Sequence, residues 1–464
     1  MKVRENRTLD ELSVGDTASL PRLCTADDLY AFASASGNHN PLHLEAFDGD
    51  GDGRSEAVAP ALWSASLVSA VLGNILPGAG TQVRRADLVF HYAATAGDEL
   101  IAKVTISEKL DSGDILCAAE VRRAGDNALM VTGELQATPP QQHLTFDDLE
   151  VPGLIVQRHR HFEALLARAR PLDPMPTAVV APEEENSLGG ALLAAKNSII
   201  VPLLVGDPGK ISAAAYALGA DLSGVEIIPA QSHEAAAGAA VDLVASGKAH
   251  ALMKGYLHTD VLLHAVLRRE NGLRAGRRLS HIFVMDVPGM TRPILVTDAA
   301  INIAPDLETK ADIVQNAIYL AHSLGIEEPK VSVLSAIETI NPKMPSSVDA
   351  ALLAKMSERG QITGGIVDGP LAMDNAVDLG AARTKGITSP VAGHADVFVA
   401  PNIDAGNMLA KQLTYISHAE AAGIVLGASA PIILTSRADD DTSRLASCAV
   451  AALHAARQKE VAGV

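Results

Sequence analysis

Two kinds of apolar periodicity divide the chain near residue 140. Before that point, short alternating runs at 88–91, 99–107, 114–123 and 129–137 are separated by Gly97-Asp98, Ser112-Gly113 and Gly125-Asp126, the spacing of antiparallel hairpins. Ahead of all four, the apolar segment 58–76 is long enough for a helix and stops at Pro77-Gly78. This pattern predicts a sheet curled around one buried helix. Beyond 140, apolar strands at 177–181, 201–205, 225–229, 251–253, 282–285, 294–297, 330–335, 365–368, 397–400 and 432–434 are interleaved with Ala-rich helical stretches. That alternation predicts βαβ units and a mainly parallel sheet. Strands that are apolar throughout, such as 397–400, are expected to be covered on both faces. About ten strands is large for one sheet, so two lobes with a cleft between them are expected. The stretch 137–153, with Pro139-Pro140 and then Asp147-Asp148, has no apolar period and reads as a linker.

Composition narrows the class. The chain has 464 residues, room for two or three domains, and one tryptophan, Trp63, among few aromatics. A formal charge of −18 argues against nucleic-acid binding and means that a polyanionic ligand must be drawn by local basic residues. Cys24, Cys117 and Cys448 stand far apart without metal-ligand spacing. No apolar signal region opens the chain and no window reaches a membrane span, so the expectation is a cytoplasmic protein with no membrane association.

Candidate chemistry gathers at the carboxyl ends of the later strands, where open α/β sheets keep their ligands. After the strand 397–400 come Asn402, Gly406 and Asn407, with Lys411 further along the same helix and the Ser389 loop before it. An ordinary βα connection would use the same residue types. Lys254 closes the strand 251–253, and His258-Thr259 open the next helix. Five arginines crowd positions 268–278, a local anion site or a solvated face in an acidic chain. Ser436-Arg437 follow the strand 432–434, where a guanidinium can hold phosphate bidentately and a hydroxyl can donate to an oxyanion.

From about residue 154 onward the chain resembles the phosphate acetyltransferase and phosphate butyryltransferase family. The resemblance is carried, in order, by Met253-Lys254-Gly255 with His258-Thr259-Asp260, by Gly272-Leu273-Arg274 with Arg277-Arg278-Leu279-Ser280-His281, and by Asn341-Pro342-Lys343-Met344-Pro345-Ser346-Ser347. Gly365-Ile366-Val367-Asp368-Gly369-Pro370, the stretch 389–411 and Leu434-Thr435-Ser436-Arg437-Ala438-Asp439 complete it. It implies a two-lobed, isopropylmalate-dehydrogenase-like fold, lobe 1 about 154–285 plus 425–464 and lobe 2 about 286–424. It also implies reversible acyl transfer between coenzyme A and inorganic phosphate, with acetyl as the favoured group. Coenzyme A is then a substrate, and no metal, flavin or nicotinamide is required. Ser436 and Arg437 take the oxyanion and phosphate roles, and one of Asp439, Asp440 and Asp441, with Asp440 favoured, takes the thiol proton. Lys254, Thr259, Arg274, Arg278, Ser389, Asn402, Gly406, Asn407 and Lys411 would line the cleft. A homo-oligomer, dimer or higher, is implied as well.

Residues 24–137, in a domain of about 1–140, resemble the MaoC-like hydratase family, whose hot-dog fold wraps a sheet around a helix. The carriers are Ser36-Gly37-Asn38-His39-Asn40-Pro41-Leu42-His43, then 58–63, Leu76-Pro77-Gly78-Ala79-Gly80 and Gly97-Asp98. The family hydrates trans-2-enoyl-CoA with an Asp and a His five residues apart. This chain keeps His43 but has Asn38, which cannot accept a proton, so hydration should fall by a factor of roughly 10²–10⁴. A glycine whose amide serves the family's oxyanion hole is also replaced near Ala61. Acyl-CoA binding or assembly would remain. Two alternatives stand beside a plain acyltransferase: a bifunctional enzyme that also hydrates short enoyl-CoA, and a non-catalytic acyl-CoA sensor or scaffold.

Overall fold

The computed structural model describes residues 3–43, 57–147, 160–290, 292–435 and 440–462. The chain divides into two compact units, residues 1–156 and 157–464. The expected linker lies outside the described residues from residue 148 on; before that, Thr145–Asp147 is a short strand paired antiparallel with Val3–Glu5 and not part of a linker.

In the first unit, five antiparallel strands lie in the order Thr17–Leu23, Glu99–Lys109, Ile115–Arg123, Leu129–Thr138, Gln82–Phe90. The helix Ala61–Asn74 packs on the sheet through Trp63, Leu67, Val68, Val71 and Leu72. Strict alternation along Glu99–Lys109 turns Leu100, Ala102, Val104 and Ile106 into that core. This is the hot-dog arrangement. The strand expected at 88–91 begins at Gln82, and Thr17–Leu23 was not expected at all. Both are edge strands, so Arg84, Arg85 and Asp87 in one, and Pro21 in the other, interrupt the apolar alternation without breaking the sheet. Between these two strands in the chain, the helix Ala26–Ser36 starts on a Thr25/Asp28 capping box and ends at Gly37, whose φ of 71° suits glycine.

In the second unit, eleven strands form one continuous sheet rather than one sheet per lobe. The order is Glu226–Pro229, Ile200–Gly206, Met175–Val180, Ala251–Lys254, Ile432–Ile433, Glu420–Leu426, Ser280–Asp286, Ile294–Thr297, Val397–Val399, Lys330–Leu334, Ile366–Leu371. The first five run parallel, and so do the last four. Three antiparallel pairings through Glu420–Leu426 and Ser280–Asp286 join the two blocks, which therefore run in opposite senses. The strand Glu420–Leu426 escaped the sequence reading because Ala421, Ala422 and Gly423 have weak strand preference. Val179 faces one core with Leu188, Leu204 and Ala449, while Ala178 and Val180 face another with Ala236 and Val241. The sheet is thus covered on both faces, as apolar strands require. Among the described residues no helix is long and apolar enough to cross a membrane.

The helix Asp441–Ala462 buries His454, whose Nδ1 lies 2.9 Å from Ser323 Oγ, which itself donates to Tyr319 O at 2.9 Å. Burial pushes the imidazole down to about 4 from an ordinary value of 6.5. A histidine kept neutral by folding contributes stability that is whole above pH 6.5 and is lost as the pH falls through 4. Acidification across that window is expected to remove about 3 kcal/mol that His454→Gln does not lose. Urea denaturation of both proteins at pH 7 and pH 4.5 measures it, and parallel losses would show that His454 titrates normally.

Candidate active site

The first parallel block brings two chain segments together at its carboxyl ends. Lys254 ends the strand Ala251–Lys254 and is buried, its Nζ donating to Gly255 O at 3.4 Å. A Cβ on Gly255 would fall 2.3 Å from Val180 O and 2.5 Å from Ala181 O, so only glycine can make this turn. The neighbouring strand pairs Met253 with Ile433, which puts Lys254 beside Leu434. Thr259 is half-buried at the start of the helix Thr259–Val266, with His258 as its N-cap. Thr435 is buried and accepts from Arg444 Nη1 at 2.9 Å. Ser436, Arg437 and Asp439 lie outside the described residues. Asp440, where the description resumes, is exposed and accepts from Ser443 N at 2.8 Å, so it caps the helix Asp441–Ala462.

At the carboxyl end of Ile294–Thr297 stands a turn that the sequence reading missed. The buried Asp298 carboxylate accepts from Ala300 N (2.9 Å), Ile301 N (3.1 Å), Asn302 N (3.1 Å) and Asn302 Nδ2 (2.6 Å). Four donors on one buried carboxylate give this turn a single shape. The helix Ile403–Tyr415 leans on it: Asn407 Nδ2 donates to Ala299 O at 3.2 Å, and a Cβ on Gly406 would fall 2.3 Å from Asp298 O. Asn402 is that helix's N-cap, accepting from Ala405 N at 3.0 Å. The Gly-Asn pair anticipated at a helix start therefore sits one turn inside the helix, holding a neighbouring turn in place.

Asn302 in turn lines a cavity of about 480 Å³ with Arg274, Arg277 and Arg278, faced by Glu308 and Asp312. The arginines differ in what neutralises them. Arg277 reaches Asp312 at 3.5 Å and lies over the Tyr319 ring at 5.3 Å. Arg278 adds to the hydrogen bonds from Thr309 that hold the Asp306 carboxyl below its usual value. Arg274 Nε donates to a carbonyl, Leu267 O, at 2.8 Å, which leaves its charge unneutralised by that bond. Arg268 is tied to Asp242 at 2.8 Å and serves the surface.

The structure thus joins Arg274 and Arg278 in one cavity, links Gly406 and Asn407 to it through the 298–302 turn, and sets Lys254 beside the segment leading to Ser436. Ser389 accepts from Val391 N and Ala392 N at 3.1 and 3.3 Å within its own loop, and Lys411 is exposed with its Nζ 5.4 Å from the Tyr415 ring centre; neither joins these contacts. In the first unit, Asn38 Oδ1 accepts from Asn40 N at 3.3 Å and His43 Nδ1 lies 2.7 Å from Val58 O. Ala61 is exposed at the first position of its helix.

Residues 230–452 match the family described as "Phosphate acetyl/butaryl transferase". A phosphate acetyltransferase of Rhizobium meliloti is 56% identical over 298 residues, spanning 64% of this chain and 94% of that protein. The chain belongs to this family. A phosphate butyryltransferase of Clostridium acetobutylicum is 44% identical over 294 residues, 63% of this chain and 98% of that one. Among solved structures, a branched-chain phosphotransacylase from Enterococcus faecalis V583 matches with a TM-score of 0.54 and 33% identity over 61% of this chain and 99% of its own.

The family match lies inside the second unit and spans every transferase residue named above. What the reading of residues overlooked is the support beneath them, Asp298 with Asn302, and it gave no role to His281, which is buried within one of the matching segments. An Asp directly after an apolar strand with Asn four residues on was the available signal, the same kind that drew attention to Asn402.

Proposed function

We propose that the second unit catalyses acyl-CoA + phosphate ⇌ acyl phosphate + CoA, with acetyl as the principal acyl group. The observation that carries this is the 56% identity to a phosphate acetyltransferase across 94% of that protein. In the direction of acyl-CoA synthesis, the sulfur of coenzyme A attacks the carbonyl carbon. The C–S bond forms, the bond between the carbonyl carbon and the bridging oxygen breaks, and phosphate leaves with that oxygen and the electron pair. A carboxylate of Asp439, Asp440 or Asp441 takes the thiol proton. Ser436 donates to the carbonyl oxygen as it gains charge, and Arg437 neutralises the phosphoryl oxygens. Arg274, Arg278 and Lys254 draw anionic substrate to a chain that is otherwise acidic; Thr259, Ser389, Asn402, Gly406, Asn407 and Lys411 complete the cleft.

This chemistry suits a two-lobed arrangement like that of isopropylmalate dehydrogenase, lobe 1 at about 154–285 plus 425–464 and lobe 2 at 286–424. The reversal of strand sense at Ser280–Asp286 supports a division there. The first unit we read as hydratase-related, binding acyl-CoA or aiding assembly into a cytoplasmic homo-oligomer. Val58 O only accepts, so His43 Nδ1 is the donor in that contact; Asn38 supplies no carboxylate beside it.

Thiol release from acetyl-, propionyl- and butyryl-CoA, with and without phosphate, tests the reading. Release is expected only with phosphate, and fastest from acetyl-CoA. Fastest release from butyryl-CoA would reassign the acyl group. Release indifferent to phosphate would end the transferase reading altogether.

A further inference from the structure

A second basic cavity opens at the amino ends of the first parallel block. It encloses about 670 Å³, and His250, Arg274, Ser429, Gln458 and Lys459 line it beside apolar groups such as Leu273 and Pro431. His250 directly precedes the strand Ala251–Lys254 and Pro431 precedes Ile432–Ile433, so the cavity lies at the opposite end of these strands from Lys254. Among the described residues no aspartate or glutamate lines it, in a chain with 55 acidic side chains against 37 lysines and arginines.

Its cations are not neutralised by carboxylates. Arg274 gives Nε to Leu267 O at 2.8 Å, and its two Nη groups bond to no described residue. Lys459 forms no ion pair among the described residues; its neighbour Glu460 is held by Arg457 at 2.9 Å. Burial pushes the half-buried His250 imidazole below its ordinary value, and the Lys459 charge pushes the same way, so the two are within electrostatic reach. A lysine in the last turn of a helix commonly offsets the helix dipole, which accounts for Lys459 on Asp441–Ala462. It does not account for His250 and Arg274, which arrive from other segments. The helix His233–Ala245 also ends here, but its carbonyls at Asp242, Leu243 and Val244 already accept from backbone amides at 246–249.

Arg274 has a second address. It also lines the 480 Å³ cavity with Arg278 and Asn302, so one guanidinium stands in the wall of both. Its backbone is fixed. Leu273 N donates to Val266 O at 2.8 Å, Ser429 N donates to Leu273 O at 2.9 Å, and a Cβ on Gly272 would fall 2.1 Å from Arg268 O. Only the side chain is left to swing between the two cavities.

We infer that the cavity of His250, Arg274 and Lys459 binds a small organic dianion, a phosphate monoester or a dicarboxylate, whose presence draws Arg274 away from phosphate in the transferase cavity. Arg274 and Lys459 match two negative charges, His250 and Ser429 add hydrogen bonds, and the apolar wall takes the carbon skeleton. The coupling rests on the transferase reading given above, whereas the site itself does not. Linkage requires phosphate to oppose the dianion by the same factor.

Calorimetric titration of the full chain with propyl phosphate and with succinate tests the site, and initial rates over a phosphate series test the coupling. Lys459 is exposed, so Lys459→Met and Lys459→Glu leave the fold intact. One probe or both should bind the parent, bind Lys459→Met about tenfold more weakly, and fail to bind Lys459→Glu. Without probe, both variants should keep the parental kcat and KM. With saturating probe, KM for phosphate should rise about fivefold or more in the parent and stay unchanged in Lys459→Glu. Binding of propyl phosphate alone would identify phosphate as the recognised group, and binding of succinate alone would identify carboxylate. Equal affinity for parent and variants would place the probe in the transferase cavity and overturn the inference, as would failure of both probes to bind. Binding that leaves KM unchanged would overturn the coupling through Arg274. A parent without phosphate-dependent activity would sink the transferase reading, and the titrations would still decide the site.

Discussion

Arg437→Ala is expected to lower kcat for acetyl-CoA formation from acetyl phosphate by about 10²–10³ while the fold survives. The leaving phosphate gains charge as the C–O bond breaks, so a cation fixed beside it is worth more in the transition state than in the ground state. Removing one such preorganised donor costs about 3–4 kcal/mol in comparable sites. Ser436→Ala should cost a similar factor through the carbonyl oxygen. Arg437→Lys keeps the charge but not the two-pronged geometry, and should fall between. Steady-state rates with acetyl phosphate and coenzyme A, beside circular dichroism to verify folding, measure all three. A rate for Arg437→Ala within a few-fold of the parent would remove Arg437 from the site, and the phosphate would have to be assigned to Arg274 and Arg278 instead.

The contrast between Arg437 and His281 shows what the chain disclosed before any coordinates. Alternation and βα order gave the hot-dog sheet and the doubly covered parallel blocks, because burial on one or two faces leaves a direct mark on the residue pattern. Edge strands left less of a mark. Gln82–Phe90 carries Arg84, Arg85 and Asp87 since one side of it faces water, and the interior strand Glu420–Leu426 was hidden for a different reason, the weak strand preference of Ala421, Ala422 and Gly423. Charged and amide residues at strand ends could be named as candidates from type and place alone. Their mutual arrangement could not, because it depends on contacts between segments far apart in sequence. Asn407 meets Ala299 across 108 positions, and His281 meets Leu434 across 153. Gly406 is the telling case. It drew notice as a ligand-facing glycine at a helix start, whereas in the fold its missing side chain lets the helix close on the Asp298 carbonyl.

That packing makes Asp298 the residue whose loss should be felt most widely. Asp298→Ala is expected to destabilise the second unit by about 3–5 kcal/mol, since three backbone amides and the Asn302 side chain lose one shared buried acceptor. Water can reach some of these groups once the turn loosens, which caps the loss below the sum of four charge-assisted bonds. The functional consequence differs from that of Arg437→Ala. Without the carboxylate, Asn302 at the wall of the arginine cavity keeps only its side-chain bond to Leu279 O (2.8 Å), and Asn407 loses its fixed carbonyl partner. Substrate binding should therefore weaken along with stability, with KM for phosphate rising by about tenfold and kcat falling less. Asp298→Asn keeps the shape and one oxygen, but turns an amide group toward backbone donors, so an intermediate loss is expected. Urea denaturation followed by circular dichroism gives the stability change, and initial rates over a phosphate series give KM. Should Asp298→Ala unfold within about 1 kcal/mol of the parent, the turn must be held by its packing under Gly406 and not by the carboxylate.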